Sequence, residues 1–158
     1  MNYWLMKSEP DTYAIDDLEK QPRKTDHWDG IRNYQARNFM RDEMKKGDLA
    51  FFYHSNCNDP GIVGIMEIVK EAYPDFTACD PNSAYFDPKS DANNPRWYMV
   101  DVKFKCRFDK TVTLKELKQY SALESMRLLQ RGNRLSIMPV NTAEWRFILS
   151  LATGKQPA

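Results

Sequence analysis

The middle of the chain reads Leu49-Ala50-Phe51-Phe52-Tyr53, then a short polar loop, then Ile62-Val63-Gly64-Ile65-Met66-Glu67-Ile68-Val69. Both runs are apolar and rich in β-branched or aromatic residues, and the loop between them contains Asn, Asp, Pro and Gly. This pattern predicts a β-hairpin. Gly64, inside the second run, predicts a bulge or a close approach of another part of the chain.

Further strands are predicted on both sides of the hairpin. Tyr3–Met6 is a short apolar run that suits a buried strand. Over residues 100–106 apolar and charged residues alternate, which predicts a half-exposed strand with Val100, Val102, Phe104 and Cys106 on the buried face. Residues 135–138 predict one more short strand.

Helices are predicted where capping residues precede apolar positions spaced three or four apart. The predicted segments are one turn at Ile15 and Leu18, a helix from Asn33 to Lys46, short helices after Thr113 and over 123–129, and a final helix after Asn141 that buries Trp145, Ile148 and Leu149. Residues 74–96 are rich in Pro, Asp and Asn and predict a long surface loop, a kind of segment that is often functional. Together, about five or six strands with short helices indicate an α+β domain with a barrel-like sheet.

The bulk properties fit one globular domain of 158 residues. We expect the domain to span 1–152 and to be followed by a flexible tail over 153–158. The net charge of +1 excludes a strongly basic coat for non-specific DNA binding. Between Lys103 and Arg134, however, nine basic residues stand against three acidic ones, which is compatible with local phosphate contacts or with an ordinary mixed surface.

Cysteine usage and the amino terminus bear on the compartment. Three cysteines without paired spacing indicate free thiols in a reducing environment. Residues 1–6 lack the charged region and long apolar run of a signal peptide, and no apolar run reaches the length of a membrane span. We expect a monomer that is cytoplasmic, or nuclear if the source is eukaryotic, without a membrane partner.

Several kinds of chemistry find little support in the sequence. His54 and Cys57 form only half of a zinc-binding pattern. The residue types of a hydrolytic triad are present, but a Gly-x-Ser-x-Gly elbow is missing. The six glycines do not form a phosphate or dinucleotide loop. We therefore expect no metal and no cofactor.

Aromatic residues next to polar ones, close to predicted strand ends, are more informative. Trp28 precedes the turn Asp29-Gly30, Tyr53 precedes His54-Ser55, and Trp97 follows Arg96. An unstacked nucleic-acid base is bound by flat aromatic or guanidinium faces and by a few donors and acceptors at its edge. These residues could form such a site, or the rings could simply close the ends of the core.

Several ordered motifs resemble the EVE domain family. They are Tyr3-Trp4-Leu5-Met6-Lys7-Ser8-Glu9-Pro10, Trp28-Asp29-Gly30-Ile31-Arg32-Asn33-Tyr34-Gln35-Ala36-Arg37-Asn38, Gly47 to Ser55, Gly61 to Ile65, Pro95-Arg96-Trp97 with Val100-Asp101-Val102, and Arg134 to Val140. The resemblance extends from about residue 2 to residue 151. One departure is Met138, where the family more often has Gln.

The resemblance implies a PUA-like fold, a β-barrel with peripheral helices, related to the PUA, ASCH and YTH domains. It also implies a base-binding pocket formed by Lys7, Ser8, Trp28, Asn33, Tyr34, Tyr53, His54, Ser55, Arg96 and Trp97. The phosphate contacts that go with this pocket would come from Arg32, Arg37 and Arg134, with Lys7 as a further candidate.

The function that follows from this resemblance is a non-catalytic reader of a modified base in DNA or RNA. The base would be methylated or hydroxymethylated cytosine, or methylated adenine. The alternative is an ASCH-like hydrolase of a modified nucleoside or RNA that uses His54, oriented by Glu9 or Asp29. A third alternative is an interaction scaffold, for which the sequence offers no positive support.

Overall fold

Six strands form one mixed sheet in the computed structural model of the chain, which describes residues 1–153. The strands are β1 (Tyr3–Ser8), β2 (Thr25–Trp28), β3 (Leu49–His54), β4 (Gly61–Pro74), β5 (Tyr98–Thr113) and β6 (Ile137–Val140). Their order across the sheet is β2-β5-β4-β3-β1-β6. Strands β1 and β3 run parallel, and all other neighbours are antiparallel.

The predicted hairpin is confirmed as β3 and β4, and Gly64 has both of the features expected of it. The register shifts between Phe52 and Tyr53, which pair with Gly64 and Ile62 respectively. A Cβ atom on Gly64 would also collide with the Cys106 carbonyl oxygen and with Ile15 Cδ1. Only glycine fits this close approach of backbone and helix.

Strand β5 is longer than predicted, and the expected position of Cys106 is wrong. Cys106 is exposed, whereas Val100 and Val102 are buried as expected. Between Ile65 and Met66 the pairing advances two residues on β5, from Cys106 to Phe104. The extra residue of this bulge shifts the in-and-out alternation, which a simple period of two does not anticipate.

The sheet curls without closing. Among the described residues, β2 and β6 each pair with one neighbour and form the two edges of the sheet. Side chains nevertheless meet across the curl: Trp28 at the end of β2 packs edge-on against Phe52 of β3, with ring centroids 5.4 Å apart. The α+β, PUA-like class is therefore confirmed, with an open sheet in place of a closed barrel.

Four α-helices accompany the sheet over residues 1–153: α1 (Ile15–Glu19), α2 (Tyr34–Asn38), α3 (Leu114–Leu117) and α4 (Thr142–Thr153). The predicted cap of α2 is confirmed, because Asn33 Oδ1 accepts a hydrogen bond from the Ala36 amide at 2.9 Å. The helix continues only as a π turn over Phe39–Glu43. The predicted helix over 123–129 is wrong, since two 3₁₀ turns occupy Ser121–Leu123 and Arg127–Leu129.

The carboxyl-terminal helix confirms its prediction. The Asn141 side chain and the Glu144 side chain each accept a hydrogen bond from the other residue's backbone amide, at 2.7 and 3.1 Å. Thr153, expected to begin the tail, is the last residue of α4, and 154–158 lie outside the described residues. Within the described part of the chain, no helix combines the length and apolarity needed to cross a membrane.

The two faces of the sheet bury separate apolar clusters. Trp4, Met6, Trp28 and Phe52 belong to the cluster inside the curl, together with residues of α1 and α2. The other face packs against α4 and the 3₁₀ turns, and its cluster contains Leu5, Phe51, Tyr53, Met138 and Trp145. Adjacent residues of one strand thus belong to different clusters, as the period of two requires.

Candidate functional site

A cleft of about 610 Å³ opens where the chain leaves β1 and β2. Most of its lining comes from the end of β1, the loop before α1, and the end of β2 with the turn that follows it. The lining residues are Lys7, Ser8, Glu9, Thr12, Tyr13, Asp26, His27, Trp28, Asp29, Gly30, Ile31, Tyr85 and Ser136. Three of the predicted pocket residues, Lys7, Ser8 and Trp28, are therefore in the cleft.

The β1 side of the cleft is fixed by hydrogen bonds that leave the strand. The Ser8 hydroxyl donates to the Tyr13 carbonyl oxygen at 2.6 Å, which folds the following loop back onto the strand end. The Lys7 amide donates to the Ser136 carbonyl at 2.8 Å, and the Ser55 amide donates to the Ser8 carbonyl at 3.0 Å. Ser55 is thus joined to the end of β1 through its backbone, without lining the cleft.

Trp28 serves both the core and the cleft. It is the last residue of β2, and only 7% of it is exposed, because its ring packs edge-on against Phe52. The small exposed part lines the cleft. Trp28 is therefore mainly a core residue that borders the cleft, and its role in binding a base stays a prediction.

An acidic wall with one histidine faces the cleft. The Tyr13 hydroxyl donates to Asp26 Oδ2 at 2.6 Å. His27 lies between two carboxylates, with Nδ1 3.3 Å from Asp26 Oδ1 and Nε2 3.4 Å from Asp29 Oδ2. Burial raises the pKa of Asp29, against the opposing influence of His27. Only 26% of the Asp29 side chain is exposed, which is why its carboxylate is less well solvated than one on an open surface.

Tyr85 enters the cleft from the long loop, and Gly30 makes room for it. Gly30 has a φ of +78°, and a Cβ atom there would lie 2.7 Å from the Tyr85 ring. The position therefore needs glycine both for its left-handed backbone and for the contact with the ring.

Arg32 and Asp75 hold this loop in place. Arg32 donates to the Tyr85 carbonyl at 2.7 Å and to Asp75 Oδ2 at 3.1 Å, and the Gly30 amide donates to the same Asp75 oxygen at 3.0 Å. The Asp75 side chain is fully buried. Burial opposes its ionisation, but hydrogen bonds from Thr77, Gly30 and Arg32 outweigh burial and hold the pKa of Asp75 below its ordinary value.

The prediction that Arg32 and Arg37 contact phosphates needs correction. The Arg32 guanidinium is occupied by the buried Asp75 and by the Tyr85 carbonyl. Arg37 donates to the Arg96 carbonyl at 2.9 Å and to the Asn38 side chain. Their donors are used within the fold, which leaves Arg134 as the exposed member of the predicted set.

Tyr34 and Trp97 form a separate assembly on the surface. Their rings stack with centroids 4.9 Å apart. Arg32 lies over Trp97, 5.5 Å from its centroid, and Arg37 lies over Tyr34 at 4.7 Å. We refer to Arg32, Tyr34, Arg37 and Trp97 as the Tyr34 stack. Neither of its rings is among the described residues that line the cleft.

The other predicted pocket residues near this stack have structural contacts. The Trp97 indole donates to Asp87 Oδ2 at 2.6 Å, and Arg96 Nη1 lies 3.9 Å from the same oxygen. The Asn33 side chain is the cap of α2. The structure therefore does not bring Asn33, Arg96 and Trp97 together with Trp28 in one pocket.

Tyr53 and His54 also lie outside the cleft lining of the described chain. Tyr53 is buried in the cluster on the opposite face of the sheet from Trp28, and burial raises its pKa to about 12. His54 Nε2 accepts a hydrogen bond from the Ile15 amide at 3.1 Å, and burial lowers the pKa of His54. The predicted hydrolase arrangement is not formed, because Glu9 contacts Asn56 and Asp29 contacts His27.

Ten of the thirteen lining residues were not predicted as pocket residues, and Tyr13, Asp26, His27, Asp29 and Tyr85 are among them. Tyr85 lies in the loop whose length already indicated a function, and this was the available signal. The others are ordinary polar residues whose convergence depends on the curl of the sheet. Within residues 1–153, no group of three His, Cys, Asp or Glu side chains is arranged to hold a metal ion.

Comparison with known proteins gives a consistent result. The EVE domain model matches residues 2–151. Thymocyte nuclear protein 1 (THYN1) of Rattus norvegicus is 50% identical over 167 residues, covering 95% of this chain and 73% of the relative.

Two solved structures are similar over nearly their whole length. A Pseudomonas syringae protein has a TM-score of 0.91 at 51% identity, covering 95% of this chain and 99% of that one. Human THYN1, in complex with DNA containing 5-methylcytosine, has a TM-score of 0.92 at 48% identity, covering 96% and 98%.

Proposed function

The chain belongs to the EVE domain family, and on this basis we propose that it binds DNA and accepts a modified cytosine in the cleft without changing it chemically. The observation that carries the proposal is the cleft between the ends of β1 and β2, in a fold that human THYN1 shares in complex with DNA containing 5-methylcytosine. The modified base would be 5-methylcytosine or a close analogue.

The size and lining of the cleft suit one base. Small-molecule pockets commonly measure about 300–1,000 Å³ and combine apolar walls with a few polar groups. The cleft, at about 610 Å³, offers the Tyr85 ring, the small exposed part of Trp28 and the polar wall around Asp29. A flipped base needs these two elements, a surface for its faces and partners for its edge.

The energetics favour modest discrimination by the methyl group itself. Extruding a base costs a few kcal/mol, and stacking on an aromatic ring returns about 1–3 kcal/mol. Burial of one methyl group adds about 0.8 kcal/mol, which corresponds to roughly a fourfold preference over unmodified cytosine. Contacts to phosphates must supply much of the remaining affinity.

Two of the cations predicted to contact phosphates remain candidates for this role. Lys7 is among the residues that line the cleft, its Nζ lies 5.8 Å from the centroid of the Tyr53 ring, and burial lowers its pKa from the ordinary value of lysine. Arg134 is exposed and lies two residues before Ser136, which also lines the cleft. Since Arg32 and Arg37 are occupied within the fold, we propose Lys7 and Arg134 as the groups that hold the DNA backbone.

Tyr85→Ala tests the cleft directly. We expect it to weaken binding to oligonucleotides with 5-methylcytosine by about 10- to 100-fold, because it removes a stacking surface. Phe86→Ala is a matched control: Phe86 is the next residue of the same loop, is 41% exposed and is not among the cleft-lining residues. Fluorescence anisotropy with DNA and RNA strands carrying cytosine, 5-methylcytosine, 5-hydroxymethylcytosine or N6-methyladenine measures the effect.

The outcomes separate the alternatives. Equal affinity of Tyr85→Ala and the parent for all strands would show that the cleft does not bind the base. Tighter binding of modified RNA than of modified DNA would transfer the proposal to RNA. Turnover of any modified nucleoside would revive the hydrolase alternative. The location of the protein, cytoplasmic or nuclear, remains a prediction that imaging can test. The monomeric state remains a prediction that sedimentation can test.

A further inference from the structure

We propose that Asp29 accepts a hydrogen bond from the exocyclic amine of the bound base, so that the cleft takes 5-methylcytosine and rejects thymine. This inference rests on the proposed function. It concerns the choice between two bases, whereas the proposed function concerns the binding of a modified base as such.

Any reader of 5-methylcytosine must distinguish it from thymine. Both are pyrimidines of nearly equal size, and both carry a methyl group at C5. They differ at C4, where cytosine has an amino donor and thymine has a carbonyl acceptor. An apolar corner that receives the methyl group treats them alike, so the discrimination requires an acceptor in the protein that faces C4.

Asp29 is a partly buried acceptor of the cleft with unused capacity, whereas Glu9 at the rim is exposed and accepts a hydrogen bond from the Asn56 side chain. Asp26 is engaged through both oxygens, since Oδ2 accepts from the Tyr13 hydroxyl and Oδ1 from the His27 amide at 2.8 Å. Asp29, with 26% of its side chain exposed, has its contact with His27 Nε2 at 3.4 Å, longer than an ordinary N–H···O hydrogen bond. A carboxylate can accept about four hydrogen bonds, so Asp29 can still receive an amine.

The electrostatics of the cleft agree with this role. A carboxylate repels the phosphates of a nucleic acid, so an acid on the wall of a DNA-binding cleft is unfavourable unless it meets a donor of the ligand. The amine of cytosine is such a donor. Its hydrogen bond compensates for the water contacts that Asp29 has lost through partial burial. Thymine would instead bring its O4 carbonyl against the lone pairs of the carboxylate.

The experiment compares two bases whose extrusion costs the same. Duplexes carry 5-methylcytosine or thymine opposite an abasic site, so neither base has to break a pair. We expect the parent protein to bind the 5-methylcytosine duplex about 10- to 100-fold more tightly. Asp29→Asn should reduce this ratio to about threefold or less, because its amide can turn to donate to O4 of thymine.

Asp11→Asn is the matched control, because it makes the same substitution at an exposed residue of the loop before α1 that is not among the residues lining the cleft. It should keep the parent ratio. An unchanged ratio in Asp29→Asn would overturn the proposal, and so would loss of binding to both duplexes at an unchanged melting temperature. If the parent binds both bases equally well and more tightly than cytosine, the proposed function stands and the role of Asp29 is wrong.

A change in the ligand tests the same contact without any variant. A duplex with 5-methyl-2-pyrimidinone, which keeps the methyl group and lacks the C4 amine, should bind the parent as weakly as thymine does, within about threefold. Binding equal to that of 5-methylcytosine would show that the amine is not recognised. Failure of the parent to bind any of these duplexes above an unmodified one would instead refute the proposed function.

Discussion

The cleft and the Tyr34 stack both combine aromatic rings with charged side chains, but they differ in what these groups are bound to. In the stack, the Tyr34 ring packs against the Trp97 ring and also lies close to the Arg37 guanidinium. The Trp97 indole is hydrogen bonded to Asp87. In the cleft, by contrast, Asp29 keeps unused acceptor positions, and the Tyr85 ring lines the cleft although the Arg32 guanidinium lies 5.9 Å from its centroid.

Aromatic composition alone therefore does not separate the two regions. What separates them is whether the rings and polar groups border a cleft or are packed and hydrogen bonded within the fold. Arg32 connects the two regions, because it lies over Trp97 and also donates to the Tyr85 carbonyl. Substitutions that affect one region, the other or both can therefore test whether the regions have separate roles.

The largest effect is expected for Arg32→Ala, which disturbs both regions. It leaves the fully buried Asp75 carboxylate without its cation and releases the Tyr85 carbonyl. Removal of one partner of a buried ion pair typically costs about 3–5 kcal/mol, and we expect a loss of about 3 kcal/mol in the free energy of unfolding measured in urea. The remaining hydrogen bonds from Gly30 and Thr77 place the value at the lower end of that range.

Arg134→Ala provides the comparison for this loss, since Arg134 is exposed and should change stability by no more than about 0.5 kcal/mol. A loss below about 1 kcal/mol in Arg32→Ala would mean that Asp75 is held well enough by its other partners. Arg32 would then be free to contact a phosphate, as the sequence alone suggested.

Gly30→Ala should have the next largest effect, and it acts on the cleft alone. The new Cβ atom would lie 2.7 Å from the Tyr85 ring, so the ring must move. We expect affinity for DNA with 5-methylcytosine to fall at least about tenfold, as stacking on Tyr85 is lost. Stability should fall by about 1–2 kcal/mol because of the left-handed backbone.

Gly132→Ala separates these two contributions. Gly132 has a φ of +79°, nearly the same as Gly30, but a Cβ atom there would meet nothing within 4 Å. The Gly132→Ala variant should therefore lose stability because of its left-handed backbone, and its affinity for DNA should stay unchanged. Equal affinities of the two alanine variants would indicate that the position of Tyr85 is not important for binding.

Much of the fold was predictable because its signals are local. The hairpin of β3 and β4, the Asn33 cap and the Asn141 cap each depend on a few adjacent residues. Strand β2 was missed because Thr25-Asp26-His27-Trp28 is short, polar and located at the sheet edge, where little burial marks a strand. The exposure of Cys106 depends on a bulge, whose position is set by the partner strand.

The site was predictable only in part, for a related reason. Trp28, Lys7 and Ser8 were identified through motifs, whereas Tyr85 reaches the cleft only because a distant loop is held by Arg32. Tyr53 was predicted to line the pocket, but the geometry of its strand places it elsewhere. Its neighbour Phe52 faces Trp28, so Tyr53 must point to the other side of the sheet.

The smallest effect on binding is expected for Tyr34→Ala, which removes one ring of the stack and leaves the cleft intact. An aromatic pair contributes about 0.5–1.5 kcal/mol, and Tyr34 is 51% exposed, so stability should fall by about 1 kcal/mol. Affinity for 5-methylcytosine DNA should change by less than about twofold, in contrast with Tyr85→Ala. If both tyrosine variants lose affinity to the same extent, DNA contacts the stack as well as the cleft. The binding surface would then extend from Tyr85 across Arg32 to Tyr34, and the two regions would be parts of one interface.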